Sequence, residues 1–246
     1  MTSVQSGYTV YDMGVSDTEQ RVTFVTSHST SGRLVDTLNG DQTINSQAVF
    51  SNPYEGTNVA TDGTYDYVLA VDTVVTSATH IYVMQGNTII HDYPISVAFT
   101  RMAVSPDFQR AVVWQERTQF MIVNLLTGTN STVFAVPVIP AINSTKKITF
   151  SQDSTLALVE SDSYNPIIVI DIVNEALSSL IVITDTIYEA HFINSSNDYV
   201  VVLGQANMVL VDIPNDMKYP LPTMQDTAYG SNYENTIYTC TANIIS

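Results

Sequence analysis

The stretch from Ala103 to Gly128 reads AVSPDFQRAVVWQERTQFMIVNLLTG and contains the pattern that decides the fold. A polar turn is followed by the short run Ala111 to Trp114, by a second polar turn, and by the apolar run Phe120 to Leu125. Both runs are rich in β-branched and aromatic residues and are too short for helices. The stretch therefore predicts two consecutive β-strands that are joined by turns.

The same order of turns and runs recurs along the chain. Similar stretches begin at Thr149 (TFSQDSTLALVESDSYNPIIVIDIVNEAL) and at His191 (HFINSSNDYVVVLGQANMVLVDIPND). In the three stretches the first turn contains the matched positions Ser105, Ser151 and Asn194, which lie 46 and 43 residues apart. Weaker copies begin at Ser16 and Thr61 upstream and at Ser231 downstream, so the chain has a repeat of about 45 residues.

Each complete repeat has room for four strands. A first strand precedes the turn, and a fourth follows the two strands described above. The predicted first strands include Ile95 to Val104 and Lys147 to Phe150, and the predicted fourth strands are Asn87 to Tyr93, Ser131 to Val138 and Ser178 to Thr184. Val173 to Ser179, the best helix candidate, is expected to be a loop.

Four strands in a repeat of this length are typical of the blades of a β-propeller. We expect an all-β fold in which residues 1–246 form a single propeller domain of four-stranded antiparallel blades. The repeat count indicates about six blades, or seven if the chain is a fragment. Residues Thr2 to Val10 are a candidate for the strand that the last, incomplete repeat lacks.

The chain resembles propellers of the broad YVTN-repeat and WD-repeat type. The first turns Ser105-Pro106-Asp107 and Ser151-Gln152-Asp153 carry this resemblance, together with the third-strand endings. Those endings are Val123-Asn124-Leu125, Ile170-Asp171-Ile172 and Val211-Asp212-Ile213. Val or Ile stands where a WD-repeat has Trp, which favours the YVTN-like type. The matched positions are structural, so the resemblance implies a fold and no functional residue.

The charge of the chain excludes several classes of partner. Eight Lys and Arg stand against 24 Asp and Glu, and the formal net charge is −16. Nucleic-acid binding needs a stripe of basic residues, and the sequence contains none, so no nucleic-acid partner is predicted. No run of 18 apolar residues exists, so no membrane insertion is predicted. A single cysteine, Cys240, excludes an internal disulfide framework.

The sequence gives no sign of a catalytic, cofactor or metal site. His28, His80, His91 and His191 lie in different repeats without a ligand spacing. Two groups of acids, Asp62, Asp66 and Asp72 and then Asp153, Glu160 and Asp162, lack the spacing of calcium loops. We expect these acids to cap the backbone of their own turns.

Three glycosylation sequons occur at Asn130, Asn143 and Asn194, each in a predicted turn. The scarcity of Lys and Arg and the hydroxyl-rich turns favour a non-enzymatic binding or scaffold propeller with a protein or glycan partner. We expect it at a surface or outside the cell, as an assembly subunit for example. Two alternatives stay open: a propeller hydrolase or lactonase with a metal or acid/base site in its central funnel, and a cytoplasmic adaptor.

Overall fold

The computed structural model describes residues 8–16, 21–28, 32–38, 44–49, 54–72, 79–115, 119–131, 134–135, 145–161, 167–184, 186–193, 197–204 and 207–221. Within these ranges the regular elements are all β-strands, and they form five four-stranded sheets. In each sheet the strands lie in sequence order and pair antiparallel. The all-β prediction is confirmed, and so is the prediction of repeated four-stranded antiparallel sheets.

The strands have the following bounds. Sheet 1 contains β1 (Tyr8–Ser16), β2 (Arg21–His28), β3 (Gly32–Leu38) and β4 (Ile44–Val49), and sheet 2 contains β5 (Tyr54–Thr61), β6 (Asp66–Asp72), β7 (Thr79–Gln85) and β8 (Thr88–Ile95). Sheet 3 contains β9 (Arg101–Val104), β10 (Arg110–Gln115), β11 (Gln119–Asn124) and β12 (Phe134–Ala135). Sheet 4 contains β13 (Thr145–Phe150), β14 (Leu156–Ser161), β15 (Ile167–Asp171) and β16 (Ala176–Ile181). Sheet 5 contains β17 (Ile187–Phe192), β18 (Tyr199–Gly204), β19 (Met208–Asp212) and β20 (Met217–Leu221).

The chain divides into two compact units. Unit 1 comprises Met1–Pro140 with Asn174–Ala176, and unit 2 comprises Ala141–Val173 with Leu177–Ser246. Sheets 1, 2 and 3 therefore belong to unit 1, and unit 2 contains sheet 5 and nearly all of sheet 4. That all 246 residues form one domain stays a prediction.

Three strand predictions need correction. Ile95 ends β8 and Arg101 begins β9, so Ile95 to Val104 is not one strand. Val173 to Ser179 is a turn only as far as Glu175, because β16 begins at Ala176 and pairs beside β15. Tyr8 to Val10 belong to sheet 1, where they pair with β2, and the rest of the predicted closing strand, Thr2 to Gly7, lies outside the described residues. The sixth repeat position, Ser231, lies outside the described residues.

The cores lie between neighbouring sheets of one unit. In unit 1, Leu69 and Ile81 of sheet 2 pack with Phe99, Val113 and Met121 of sheet 3 or its approach. Central strands such as β10 and β11 have buried residues on both faces, which explains their continuous apolar sequence. Full burial of one such side chain contributes about 1.5–3 kcal/mol, so packing of sheet on sheet stabilises each unit.

The second unit repeats this arrangement. Leu158 and Val169 of sheet 4 form one cluster with Ala190, Val200 and Val211 of sheet 5, and all five are buried. Successive side chains of a strand point to opposite faces of its sheet. A strand whose consecutive residues are all apolar can therefore pack on both faces. The described residues contain no helix that is long and apolar enough to cross a bilayer.

The end strands β8 and β20 are largely exposed. Most residues of β8 from Thr88 to Asp92 are exposed, as are those of β20 from Met217 to Pro220. Each of these strands contains a proline, Pro94 opposite His80 and Pro220 opposite Val209. Proline has no N–H to donate, so within sheets it occurs on edge strands such as these.

Candidate functional site

The turn between the first and second strands is closed by the same side-chain network in two sheets. Ser105 Oγ lies 2.6 Å from Asp107 Oδ1 and accepts a hydrogen bond from Arg110 N at 3.0 Å. Ser151 Oγ lies 2.8 Å from Asp153 Oδ1 and accepts from Leu156 N at 2.9 Å. Both serines are fully buried. The hydroxyl groups of Ser105 and Ser151 therefore fix the geometry of these turns.

The aspartates of these turns cap backbone amides. Asp107 Oδ1 accepts from Gln109 N at 3.0 Å, and Asp153 Oδ1 accepts from Thr155 N at 3.0 Å. Asp62 Oδ1 accepts from the N–H groups of Thr64 and Tyr65, both at 2.7 Å. Partial burial favours a raised pKa for Asp153, but the hydrogen bonds that it accepts from Thr155, Ser151 and Asn197 outweigh burial and hold that pKa below its usual value. The expected capping role is therefore seen at Asp62 and Asp153.

Other members of the two acid groups behave differently. Asp66 is buried at the contact between sheets 1 and 2, and Glu160 is buried in β14. Asp162 and the side chain of Asp72 lie outside the described residues.

The turn between the third and fourth strands is capped by the Asn or Asp that ends the third strand. Asn124 Oδ1 accepts from Leu126 N at 2.9 Å, and Asp212 Oδ1 accepts from Asn215 N at 3.2 Å. The N–H of the next residue donates to a carbonyl in the first turn of the same sheet. These bonds are Leu125 N to Gln109 O at 2.9 Å in sheet 3, Ile172 N to Thr155 O at 2.8 Å in sheet 4, and Ile213 N to Asp198 O at 2.7 Å in sheet 5. The two turns of a sheet are thereby tied together at one end.

This backbone bond decides which side chains are exposed. Leu125 and Ile172 point into the core and are 5% and 1% exposed. The next residues, Leu126 and Val173, are 68% and 66% exposed, the highest values among the large apolar residues that the structure describes. Sheet 5 has Pro214 at this position, and it is also exposed. An apolar side chain is therefore displayed at the same turn in three consecutive sheets.

In unit 2 these turn ends form one surface, which we call the turn face. The side chain of Asn197 donates to Asp153 Oδ2 and, at 2.8 Å, to Thr155 Oγ1, and so joins the first turns of sheets 4 and 5. The turn face contains the apolar or aromatic residues Val173, Tyr199 and Pro214 and the exposed or half-buried aspartates Asp153, Asp171, Asp198 and Asp216, whereas Asp212 is buried. Lys218 is the basic residue described there, with Nζ 3.3 Å from Asp216 Oδ1.

A buried charged pair joins sheets 1 and 2. Arg21 donates to the carboxylate of Asp66 and, through Nη1, to Gly63 O at 2.6 Å. Thr23 Oγ1 donates to the same carboxylate at 2.7 Å. Burial raises the pKa of Asp66, and the hydrogen bond from Thr23 and the charge of Arg21 oppose that rise. This network is structural, since it lies inside the contact between the two sheets.

A cluster of titratable groups joins β13 and β17 in unit 2. Glu189 Oε1 accepts from Lys147 Nζ at 3.1 Å and lies 3.1 Å from His191 Nε2. Although partial burial opposes it, these contacts hold the pKa of Glu189 below its usual value. A carboxylate that stays ionised at neutral pH suits an ion pair better than proton transfer, which requires a pKa near the working pH.

The other histidines make pairwise contacts. His80 Nδ1 lies 2.6 Å from Asp92 Oδ1, and the His80 ring stacks on Tyr82. His91 stacks on Tyr93 with ring centroids 5.8 Å apart, and the side chain of His28 lies outside the described residues. In the described part of the chain no three His, Cys, Asp or Glu side chains come together as a metal site would require.

One of the three sequons is described. Asn130 is exposed in the turn after β11, and its Nδ2 lies 3.4 Å from Pro94 O. Asn143 and Asn194 lie outside the described residues. Glycosylation at the three positions stays a prediction.

The described chain is thus an all-β protein of repeated four-stranded antiparallel sheets with capped turns. No protein-family model matches the sequence, and no curated protein matches it. Among solved structures the fold is similar to that of hydrazine synthase from Kuenenia stuttgartiensis, with a TM-score of 0.61 and 12% sequence identity. The match covers 94% of this chain and 71% of the other. At this identity the likeness shows the fold alone.

Sequence reasoning did not find the links between sheets. Arg21 and Asp66 lie 45 residues apart, Asn197 and Asp153 lie 44 apart, and Lys147 and Glu189 lie 42 apart. These separations match the repeat. Comparing residues about one repeat apart for complementary charge would have revealed the pairs Arg21 with Asp66 and Lys147 with Glu189, and a search for hydrogen-bonding partners at that spacing would have added Asn197 with Asp153.

Proposed function

We propose that this chain is a β-propeller of about six blades that serves as a non-enzymatic scaffold and binds a protein partner at the turn ends of its blades. One observation carries the proposal: equivalent turns in successive sheets expose an apolar side chain, most strongly at Leu126 and Val173. Apolar side chains that are exposed singly are ordinary on protein surfaces, whereas a group of them on one face marks an interaction site. Binding residues are also found preferentially on loops that a rigid scaffold holds in place.

The rigidity of the turns supports this function. The serine and aspartate caps hold the backbone beside each exposed residue, so little conformational freedom is lost when a partner binds. Aliphatic side chains at the tips favour a protein over a glycan. The few Lys and Arg and the exposed Asn130 sequon fit a protein at a surface or outside the cell, where it would act as an assembly subunit.

The hydrolase alternative receives less support. The titratable cluster around Glu189 has a carboxylate whose pKa is lowered, whereas a general acid at neutral pH needs a raised one. A catalytic role at the centre of a propeller and a cytoplasmic adaptor role stay predictions without a supporting contact among the described side chains.

The test is selection of peptides from a random library displayed on phage against the folded protein. Selected peptides should slow hydrogen exchange in the turns that contain Leu126 or Val173, because those amides become buried. The variants Leu126→Ser and Val173→Ser should each weaken the peptides that bind at their own turn.

Val182→Ser is the matched control, since Val182 is also exposed but lies beyond the opposite end of β16. If no peptide is enriched, or if the selected peptides slow hydrogen exchange at other places than these turns, the proposed binding function is wrong.

A further inference from the structure

The turn face combines exposed apolar residues with a concentration of negative charge. Val173 and Tyr199 are exposed at the tips of neighbouring sheets in unit 2. The same turns and the strand ends beside them carry four aspartates that are exposed or half-buried, and Lys218 is the one Lys or Arg among their described residues. A partner that covers the apolar tips must therefore lie close to several carboxylates.

The geometry shows why these features form one surface. The N–H groups of Ile172 and Ile213 donate to carbonyls of the first turn in their own sheets, at 2.8 and 2.7 Å. The bonds from Asn197 to Asp153 and Thr155 then connect the first turn of one sheet to that of the next. Both sheets of unit 2 thus present their capped turns on the same side.

From the charge and the apolar tips we infer the chemistry of the partner: a segment of another protein in which Lys or Arg residues alternate with apolar residues. This inference rests on the proposed binding function and adds the partner's character to it. The apolar side chains of the segment would cover Val173 and Tyr199, and its cations would lie against exposed carboxylates such as those of Asp198 and Asp216. Complementary charge speeds encounter and excludes acidic competitors.

A second copy of this chain does not fit the surface. The chain contains eight Lys and Arg against 24 Asp and Glu, and its formal net charge is −16. Another copy would bring mainly like charge to the turn face, and juxtaposed like charges are unfavourable at an interface. The occupant is therefore a different polypeptide.

The experiment uses three synthetic peptides of equal length, titrated into the full chain by calorimetry at physiological salt. One alternates lysine with leucine, one alternates glutamate with leucine, and one alternates lysine with serine. The lysine–leucine peptide should bind, the glutamate–leucine peptide should not, and the lysine–serine peptide should bind about tenfold more weakly because it lacks apolar anchors.

Variants then locate the binding. Val173→Ser combined with Tyr199→Ser should weaken the lysine–leucine peptide about tenfold, as truncation of interface anchors does. Asp198→Asn combined with Asp216→Asn should weaken it several-fold and reduce the dependence of affinity on salt. Val182→Ser and Asp92→Asn, two exposed positions away from the turn face, should leave the affinity unchanged.

Two results would overturn the inference. If the turn-face variants bind the lysine–leucine peptide as well as the wild type does, the peptide is responding only to overall negative charge. If the lysine–leucine peptide does not bind while library peptides of another composition still slow hydrogen exchange in the turns, the inferred partner chemistry is wrong but the proposed binding function stands. Failure of every peptide would remove both.

Discussion

At the scale of single residues, two glycines provide a matched test of turn packing. Gly128 and Gly86 have φ angles of 71° and 58°, a region that is costly for residues with a Cβ. A Cβ on Gly128 would lie 2.5 Å from Tyr93 Cδ1, whereas a Cβ on Gly86 would meet nothing within 4 Å. The Tyr93 ring cannot easily retreat, since its hydroxyl donates to Leu125 O at 2.8 Å inside the core.

We therefore expect Gly86→Ala to lower the free energy of unfolding by about 1–2 kcal/mol, the cost of the left-handed backbone alone. Gly128→Ala should cost about 1–3 kcal/mol more, because overpacking is added to the same backbone cost. Urea unfolding of both variants measures the difference. Equal losses would show that the Tyr93 ring moves aside freely.

The buried pair Arg21 and Asp66 yields a second residue-scale prediction. Replacing Arg21 by Met leaves a buried carboxylate without its cation, which should cost about 3 kcal/mol at neutral pH. Burial already raises the pKa of Asp66 above its usual 3.8, and loss of the arginine raises it further.

The sign of the pH effect follows from that shift. The folded variant binds the Asp66 proton more tightly than the unfolded chain does, so the contribution of Asp66 to the stability of the variant is greatest at pH values below its unfolded pKa. Stability should fall as pH rises from about 4 towards the raised pKa of Asp66. Denaturation across this pH range tests the prediction. The double variant Arg21→Met with Asp66→Asn should lose this pH dependence, and a double variant that keeps it would point to another group.

At the scale of strands, Glu189 links β13 to β17 through Lys147 and His191. Glu189→Gln should lower the free energy of unfolding by about 0.5–1 kcal/mol at pH 7, a modest loss because all three side chains are partly exposed. The pKa of Glu189 lies below its usual 4.5, so the contribution is present above pH 4.5 and is lost as pH falls through the folded pKa.

Thermal unfolding of wild type and Glu189→Gln at pH 7 and pH 3 measures this loss. The two proteins should differ at pH 7 and converge in acid. A difference that persists at pH 3 would mean that the glutamate acts through packing and not through its charge.

The strand pattern was predictable where the local sequence is strong. The predicted runs Ala111 to Trp114 and Phe120 to Leu125 correspond closely to β10 and β11, whose β-branched and aromatic residues are buried on both faces. The fourth strands were less predictable. β16 spans Ala176–Ile181, two to three residues before the predicted Ser178 to Thr184. Phe134–Ala135 of β12 lie within the predicted Ser131 to Val138, and the residues on either side of them lie outside the described part of the chain.

The start of β16 shows the physical reason for such errors. Ala176 to Ser179 contains no β-branched or aromatic residue and so has little intrinsic preference for strand, yet it forms part of β16 in sheet 4. Tertiary pairing decides the state of an outer strand when propensity is weak. The exposure of Leu126 and Val173 was not predictable for a related reason. In each turn two apolar residues are adjacent, and which one is buried is set by the backbone hydrogen bond of the first, Leu125 or Ile172.

At the scale of the whole molecule, the formal net charge of −16 opposes compaction. Salt should screen this repulsion, so raising NaCl from about 50 to about 500 mM should raise the Tm by about 2–4 °C, the shift that about 1 kcal/mol gives in a chain of this size. Calorimetric scans in NaCl measure the shift, with choline chloride as a control for specific sodium binding. A Tm that falls with salt would show that surface ion pairs outweigh repulsion.

The links between sheets also have a consequence for stability as a whole. Within unit 1 the contacts from sheet 1 to sheet 2 join residues 42 to 47 positions apart, and unit 2 shows separations of 42 and 44. Within each unit these bonds join one sheet to the next along the chain. Stability in such proteins is approximately a sum of intrinsic terms and nearest-neighbour terms. A weakened link should therefore loosen two adjoining sheets before it affects the others.

The prolines of β8 and β20 bear on how the protein behaves when it is concentrated. An uncovered strand is a template on which further chains can polymerise through their backbones, as in amyloid. Pro94 and Pro220 each remove one amide hydrogen from such a template. Addition of further chains to the edge strands β8 and β20 is thereby hindered, while the side chains of these strands remain accessible to solvent.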